Sequence, residues 1–250
     1  IGKSRTIPGL LSAGNAELYA IAGRNEEKLR AYAEPFAPKK LYTDYQSLLD
    51  DENVDAVYIP LPNSVHREWV LKAAEAGKHI LCEKPLALNE AEVREMFDAA
   101  NRNHVLLEEA YAYRHAQLVQ KVKELVDGGE IGRVRYLESK HSTFDTNTQG
   151  YRYQKGLGGG AAYDVTSYNV SLASYLLGKD PEELRVFCGF HPETGVDTSD
   201  AALLRYGGGV YAMLYAGLDA YPRGCFSILG ETGRIDVDHK FNSRGCATFG

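Results

Sequence analysis

The first 110 residues alternate between short runs of β-favouring residues and longer stretches with helical periodicity. Segments long enough to form helices separate four strand-like runs, which occupy 17–23, 54–61, 79–83 and 104–110. Strands joined in this way pair in parallel through right-handed crossover connections. The alternation therefore predicts an α/β domain built around a doubly wound parallel sheet.

The predicted helices carry start and stop signals. Asn25 is a candidate N-cap for the first helix, and the acidic pair 26–27 suits the dipole of its first turn. Ser64 is a candidate N-cap for a helix over 64–77, in which Gly77 occupies the C′ position. These signals place the helix boundaries between the first three strand-like runs.

After about residue 110 the pattern changes. A helical segment at 118–129 is followed mainly by strand-like runs, interrupted by one further helix at 162–177. The later strand-like runs are 133–142, 183–191, 201–218 and 225–238. Because long crossover helices do not separate them, antiparallel pairing is favoured. We expect an α/β domain over 1–110, of the size that binds a dinucleotide. We expect a second, α+β domain with an open, mostly antiparallel sheet over 111–250.

Charge and hydropathy narrow the range of partners. The chain has 28 basic and 34 acidic residues, a net charge of −6, without a block of like charges. This distribution argues against a general surface for nucleic acid or membranes. No run approaches the roughly 18 apolar residues that a membrane span needs. A small-molecule partner is therefore favoured.

The cysteines and most histidines do not predict a metal site. The four cysteines are far apart and include no CxxC pair, so small buried hydrophobes are their expected role. They are Cys82, Cys188, Cys225 and Cys246. Five histidines likewise lack ligand spacing, namely His79, His104, His141, His191 and His239. No metal ligand is predicted.

Ligands of open parallel sheets collect at the C-terminal ends of the strands. The segments found there are Gly23-Arg24-Asn25, 60–63, Glu83-Lys84-Pro85 and 109–111. Lys84 therefore stands at the edge of the expected crevice. Taken alone, the Glu-Lys-Pro string is more typical of a surface ion pair than of a binding site.

Seven short strings, in order along nearly the whole chain, resemble the Gfo/Idh/MocA family of NAD(P)-dependent oxidoreductases. The strings are IPGLL (7–11), AGRN (22–25), PLPNSVH (60–66), AGKHILCEKP (76–85), EAYAYR (109–114), GEIGRVR (129–135) and GGGAAYDVTSY (158–168). They are most similar to the branch containing glucose-fructose oxidoreductase, xylose dehydrogenases and dihydrodiol dehydrogenases. The resemblance implies a Rossmann domain, a cytoplasmic location by analogy, and hydride transfer between NADP and a secondary or anomeric alcohol or carbonyl. The substrate would be a sugar, polyol or cyclic diol.

The beginning of the chain fits the resemblance only in part. Members of the family open with a strand carrying a GxGxxG/A fingerprint, and Gly2 matches its last position, with Ile1 before it. We therefore expect a chain that lacks the first strand and is truncated at both ends.

The end of the second family strand bears on the choice of cofactor. An acid there binds the ribose of NAD, whereas an arginine accommodates the 2′-phosphate of NADP. Arg24 and Asn25 occupy this point, with Lys28 one helical turn beyond, so NADP is favoured. NAD remains an alternative because the acidic pair 26–27 lies close by, and Arg24 can also serve simply to solvate a strand end.

The resemblance implies three catalytic residues, Lys84, Asp164 and Tyr168. The family lysine binds the cofactor and the reacting hydroxyl, often with a cis Lys-Pro bond, and an ammonium there stabilises alkoxide character. Asp164 and Tyr168 are four apart on a predicted helix and hence on one face. Tyr168 would move the proton and Asp164 would be its polar partner or a substrate anchor. Two observations leave this open: Tyr168 continues an apolar stripe typical of a core, and Thr166 stands where relatives usually have glycine.

Further contacts to the cofactor or substrate follow from the same resemblance. They are Pro62, Asn63, His66, Glu83, Arg114 and Arg152. Asn63 is also a candidate helix cap, the two arginines are equally typical of solvated surface, and the alignment of His115 within 113–117 is ambiguous. A homodimer or homotetramer is implied, formed through alternate apolar residues of 201–218. Two rivals on the same fold are a non-catalytic NADP-binding sensor and a reductase of a conjugated double bond, which would not need Tyr168.

Overall fold

The computed structural model of the protein describes residues 2–238 and 247–249. Ile1, His239 and Cys246, which the sequence analysis discusses, lie outside the described residues. The chain divides into two compact units, Ile1–Ala110 and Tyr111–Gly250, called the N-terminal and C-terminal units below. None of the helices in the described part is long and apolar enough to cross a membrane.

The N-terminal unit contains five short parallel strands in two sheets. They are β1 (Ala20–Ala22), β2 (Lys40–Tyr42), β3 (Ala56–Ile59), β4 (His79–Cys82) and β5 (Leu107–Glu109). Strands β1 and β2 pair with each other, and β4 pairs with β3 and β5. The predicted parallel α/β fold is therefore confirmed. Strand β2 was not predicted, because its three residues lack the flanking apolar residues that extend the runs around β1 and β5.

The helices of this unit precede the first described strand or lie between the strands along the chain. They are a π-helical turn (Gly2–Thr6), α1 (Ile7–Ser12), α2 (Glu26–Ala33), α3 (Tyr45–Leu49), α4 (His66–Glu75) and α5 (Glu90–Arg102). The Asn25 side chain caps α2 by accepting a hydrogen bond from the backbone N–H of Lys28. The φ of +72° at Gly77 confirms it as the residue that ends α4. The Ser64 cap was wrong, because a 3₁₀ turn over Asn63–Val65 precedes α4, which lacks a side-chain cap.

In the described part of the chain, the C-terminal unit is built on a sheet of seven strands. Its strands are β6 (Val134–Phe144), β7 (Glu183–Phe190), β8 (Asp197–Tyr206), β9 (Val210–Gly217), β10 (Asp219–Gly230), β11 (Arg234–Val237) and β12 (Ala247–Phe249). The order across the sheet is β12-β11-β10-β6-β9-β8-β7. Among the described strands of this sheet, only β6 and β9 pair in parallel, so the mostly antiparallel sheet is confirmed.

Helices cover one face of this sheet and bury its core. They are α6 (Gln117–Asp127), a π-helix (Ala162–Thr166) and α7 (Ser167–Leu177), which continues the π-helix directly. Leu172 of α7 packs with sheet residues such as Leu137 and Leu214, all three fully buried or nearly so. The opposite face of the sheet is open. The predicted helix over 162–177 is therefore present, but its first turn is wider than an α-helix.

Candidate active site

Lys84 follows β4 at the C-terminal edge of the parallel strands. The peptide bond between Lys84 and Pro85 is cis, and the Lys84 residue is only 8% exposed. The turn is held on both sides, since the Leu86 N–H donates to the Glu109 carboxylate at 2.8 Å and the Glu83 N–H to the Ile59 carbonyl at 3.0 Å. The turn that follows β4 can contain two charges and a proline because hydrogen bonds to the ends of the neighbouring strands hold its backbone in place.

Glu83 is fixed by a tyrosine of the neighbouring strand. The Tyr58 hydroxyl on β3 donates to the Glu83 carboxylate at 2.5 Å. Burial raises the pKa of Tyr58, and the hydrogen bond to Glu83 raises it further, so the hydroxyl stays protonated as a donor. Tyr58 was not predicted, because nothing in its local sequence distinguishes it from a packing residue.

His66 supports the same turn from the start of α4. Its ring nitrogens lie 2.9 Å from the Pro85 carbonyl and 2.8 Å from the Leu61 carbonyl, and the residue is fully buried. This geometry links the segments that follow β3 and β4. Pro62 and the buried Asn63 lie in the first of these segments, so the topology brings together the predicted residues around Lys84 within the N-terminal unit.

The residues around the end of β1 fit the phosphate-bearing part of the implied nicotinamide dinucleotide. Gly2 lies close to Tyr32, since a Cβ on Gly2 would lie 2.7 Å from the Tyr32 hydroxyl, and its bare backbone leaves room beside that side chain. Arg24 and Lys28 are both exposed at the end of β1, where cations suit a phosphate. Asn25 points its amide oxygen at the Lys28 N–H at 2.9 Å, so its side chain supports the helix start.

Tyr168 lies in an aromatic cluster of the C-terminal unit. Its ring centroid is 4.9 Å from that of His141, 5.4 Å from Tyr111 and 6.1 Å from Tyr113. The residue is 7% exposed and belongs to the hydrophobic core, as the apolar stripe suggested. His141, Tyr111 and Tyr113 were not predicted as neighbours, because β6 and the turn before α6 meet α7 only in the fold.

Asp164 is held by an arginine ion pair. Arg152 donates to Asp164 at 2.6 Å and to Asp145 at 3.0 Å. Burial, the largest single effect, would lower the pKa of the Arg152 guanidinium, but the charge of Asp164, the Tyr151 side chain and the hydrogen bonds to Asp145 and Asp164 together hold that pKa above its usual range. Arg152 therefore orients Asp164 in this structure, and its contact with cofactor or substrate stays a prediction.

Arg114 also contacts its own unit. Its guanidinium donates to the Ser171 hydroxyl at 2.8 Å and lies over the rings of Tyr111 and Tyr175. A role toward cofactor or substrate remains a prediction. Within the described residues, three or more histidine, cysteine or acidic side chains do not converge as a metal site would require.

Comparison with protein-family models gives two matches. Residues 1–111 match the oxidoreductase family with an NAD-binding Rossmann fold, and residues 119–236 match the GFO/IDH/MocA C-terminal domain. The chain is 36% identical to a dTDP-3,4-didehydro-2,6-dideoxy-alpha-D-glucose 3-reductase of Streptomyces violaceoruber, covering 97% of this chain and 71% of that protein. It is 35% identical to D-xylose 1-dehydrogenase (NADP(+)) 2 of Haloferax volcanii, covering 97% and 74%.

A solved structure has a closely similar fold. It is a single-residue variant of a 3-ketoreductase from Actinomadura kijaniata, in complex with TDP-benzene and NADP. The TM-score is 0.92 at 29% identity, and the alignment covers 100% of this chain and 78% of the other.

Proposed function

The chain belongs to the GFO/IDH/MocA family of oxidoreductases, and from this premise we propose that it transfers a hydride between NADP and a sugar, polyol or cyclic diol. The reacting group is a secondary or anomeric alcohol or the corresponding carbonyl. The observation that carries the proposal is the buried Lys84 at the C-terminal edge of the parallel strands. This edge is where ligands of such sheets bind.

In the proposed mechanism Lys84 acts on the substrate oxygen. The nicotinamide, when bound, supplies or accepts the hydride. The Lys84 ammonium donates a hydrogen bond to the substrate oxygen and stabilises the negative charge that develops there. The contacts that hold Glu83, Pro85 and Leu86 in place keep the lysine oriented before the substrate binds. Such preorganisation avoids a reorientation cost during the reaction.

Tyr168 carries the proton in this proposal. Its hydroxyl donates to the substrate oxygen in reduction and takes the proton back in oxidation. Asp164, oriented by Arg152, anchors a neighbouring hydroxyl of the substrate or the tyrosine itself. Solved structures of the Actinomadura 3-ketoreductase include variants in which one lysine or one tyrosine is replaced. Those two residues are as far apart in the numbering of that protein as Lys84 and Tyr168 are here.

NADP is the proposed cofactor. The exposed pair Arg24 and Lys28 at the end of β1 suits a 2′-phosphate. The carboxylate of Glu26 pairs with Arg30 at 2.7 Å, which makes it a poor candidate for a ribose hydroxyl. The Haloferax relative is a D-xylose 1-dehydrogenase (NADP(+)), and the Actinomadura 3-ketoreductase structure contains NADP.

A homodimer is proposed through the open face of the seven-stranded sheet. This face exposes Leu203 (51%), Met213 (46%) and Phe187 (81%) on neighbouring strands. Contiguous exposed apolar side chains on a sheet are typical of an interface between subunits. A homotetramer would need a second interface in addition.

The experiment is a turnover assay with NADPH absorbance as the readout. Dideoxy-keto sugar nucleotides, aldoses, polyols and cyclic diols are supplied in both reaction directions. Lys84→Met and Tyr168→Phe should each reduce kcat by about 100-fold or more. Lys72→Met on the exposed face of α4 and Tyr175→Phe on α7 are the matched controls. NADPH binding without turnover across the panel would instead indicate a sensor, and normal kcat in Lys84→Met would refute the mechanism.

A further inference from the structure

Two carboxylates of β8, Asp197 and Asp200, have no part in the proposed mechanism. They lie against the π-helix over Ala162–Thr166, which contains Asp164 and leads into Tyr168. Asp200 is only 3% exposed and faces the same side of the sheet as the buried Leu204. Buried carboxylates are costly, so their contacts require an explanation.

Asp197 holds the start of the π-helix. Its Oδ2 accepts a hydrogen bond from the Ala162 N–H at 2.5 Å. Its Oδ1 packs so closely on Gly160 that a Cβ there would lie 2.2 Å away, and Gly160 has a φ of +118°. Glycine is therefore required at 160 both by the backbone conformation and by this carboxylate.

Asp200 holds the end of the same turn. The Thr166 hydroxyl donates to Asp200 Oδ2 at 2.6 Å. Thr166 stands at the position where the family resemblance leads us to expect glycine, so its side chain brings a bond that glycine cannot make. The Cys188 thiol on β7 also hydrogen-bonds to Asp200, which raises the pKa of that thiol to about 11.

A third tie lies on the other side of Tyr168. Asn169, fully buried, donates from Nδ2 to the Tyr215 carbonyl at 2.8 Å and accepts from the Ser139 hydroxyl at 2.8 Å. Tyr168 is thus bracketed by polar bonds to β8, β9 and β6. A π-helical turn is a rare conformation that often occurs at functional sites.

We propose that Asp197 and Asp200 are positioning residues that hold both ends of the π-helix, so that Asp164 and Tyr168 keep the orientation that proton transfer requires. The proposal rests on the proposed function. Burial raises the pKa of Asp197, the Ala162 N–H lowers it, and the charge of Asp200 raises it again, so the Asp197 carboxylate sits in an unfavourable environment. Because burying carboxylates costs stability, the geometry that Asp197 and Asp200 impose on the π-helix is the better explanation of their position.

The test compares Thr166→Val, which removes the hydroxyl at similar shape, with Thr166→Ser, which keeps it. Thr166→Val should lower kcat by about tenfold or more, because small misplacements of catalytic groups are costly in rate. KM and the Kd for NADPH should be unchanged, and Thr166→Ser should restore kcat. Asp197→Asn, which keeps an acceptor for the Ala162 N–H, should retain more kcat than Asp197→Ala. Thr166→Val combined with Asp200→Val replaces the first variant if the unpaired carboxylate prevents folding.

Amide hydrogen exchange separates this proposal from the proposed function. Thr166→Val should speed exchange at 162–168 and leave it unchanged in the N-terminal unit. Unchanged exchange at 162–168, or a kcat that falls only in proportion to the folded fraction, would overturn the proposal. If the wild-type protein turns over no substrate, the proposed function fails, and exchange at 162–168 alone decides whether the two carboxylates hold the turn.

Discussion

Arg24 and Lys28 are the exposed cations at the C-terminal end of β1, and their neighbours are already engaged. Asn25 caps α2, and Glu26 pairs with Arg30. The arginine at the strand end was visible in the sequence, as were the buried lysine and its proline. The residues that support the turn of Lys84 could not be recognised as such in the sequence. Tyr58, His66 and Glu109 come from three other segments, which only the parallel topology brings together.

Arg24→Ala should weaken NADP binding far more than NAD binding. In the proposed cofactor site Arg24 donates a charged hydrogen bond to the 2′-phosphate, which would be worth about 1.5–3 kcal/mol and which the ribose hydroxyl of NAD would not receive. Fluorescence titration with NADPH and NADH measures both affinities. Arg94→Ala on α5, where the exposed Arg94 pairs with Glu90 far from the proposed cofactor residues in sequence, is the control and should leave both unchanged. Equal losses for the two cofactors in Arg24→Ala would contradict the NADP assignment.

At the scale of elements, the periodicity of the sequence predicted most helices and strands but not their ends. The last strand of the N-terminal unit was predicted from residue 104, yet His104 has a φ of +56°, and β5 begins only at Leu107. The run over 201–218 forms β8 and β9 with a turn at 207–209, where Gly208 and Gly209 have positive φ. Such ends depend on single backbone conformations and tertiary contacts, which periodicity does not record.

Gly160→Ala should destabilise the turn that precedes the π-helix. A φ of +118° is strained for alanine, and its Cβ would clash with Asp197, so a loss of about 1–3 kcal/mol or more is expected. Gly156→Ala is the matched control, because a Cβ there meets nothing within 4 Å. Thermal and denaturant unfolding measure the difference. Equal stability of the two variants would show that the turn adapts.

Asp51 links β2 to the turn before β3, and its contribution to stability should depend on pH. Hydrogen bonds from Lys40, then Tyr42 and Asn53, hold the pKa of this carboxyl well below its usual range. A depressed pKa stabilises the folded state above the unfolded pKa of about 3.9, and the effect is lost as pH falls. Asp51→Asn should therefore lower Tm at neutral pH, with a difference from wild type that shrinks in acid. Asp98→Asn on the exposed face of α5 should show no such pH-dependent difference.

At the scale of the whole molecule, the two units differ in the kind of sheet that their sequences form. The parallel strands of the N-terminal unit are short and carry the predicted cofactor residues at their ends. The sheet of the C-terminal unit has one face covered by α6, α7 and the π-helix, and the other face open. Strand alternation revealed the two faces, because β8 and β9 alternate buried and exposed positions in register. The alternation does not show which of the two faces the helices cover; that is seen only in the three-dimensional fold.

Leu203→Lys on the open face should weaken self-association of the protein. If two copies bury this face, each leucine contributes about 1.5–3 kcal/mol, and a lysine in its place adds the cost of burying a charge. Because both subunits carry the change, we expect the dissociation constant to rise by at least about 100-fold. Leu184→Lys is the control, since Leu184 is 54% exposed but pairs with the inward-facing Leu204. Sedimentation velocity over a range of concentrations measures both variants. If the wild-type protein is monomeric, the proposed interface does not form. If the two variants associate equally, the subunit interface lies elsewhere.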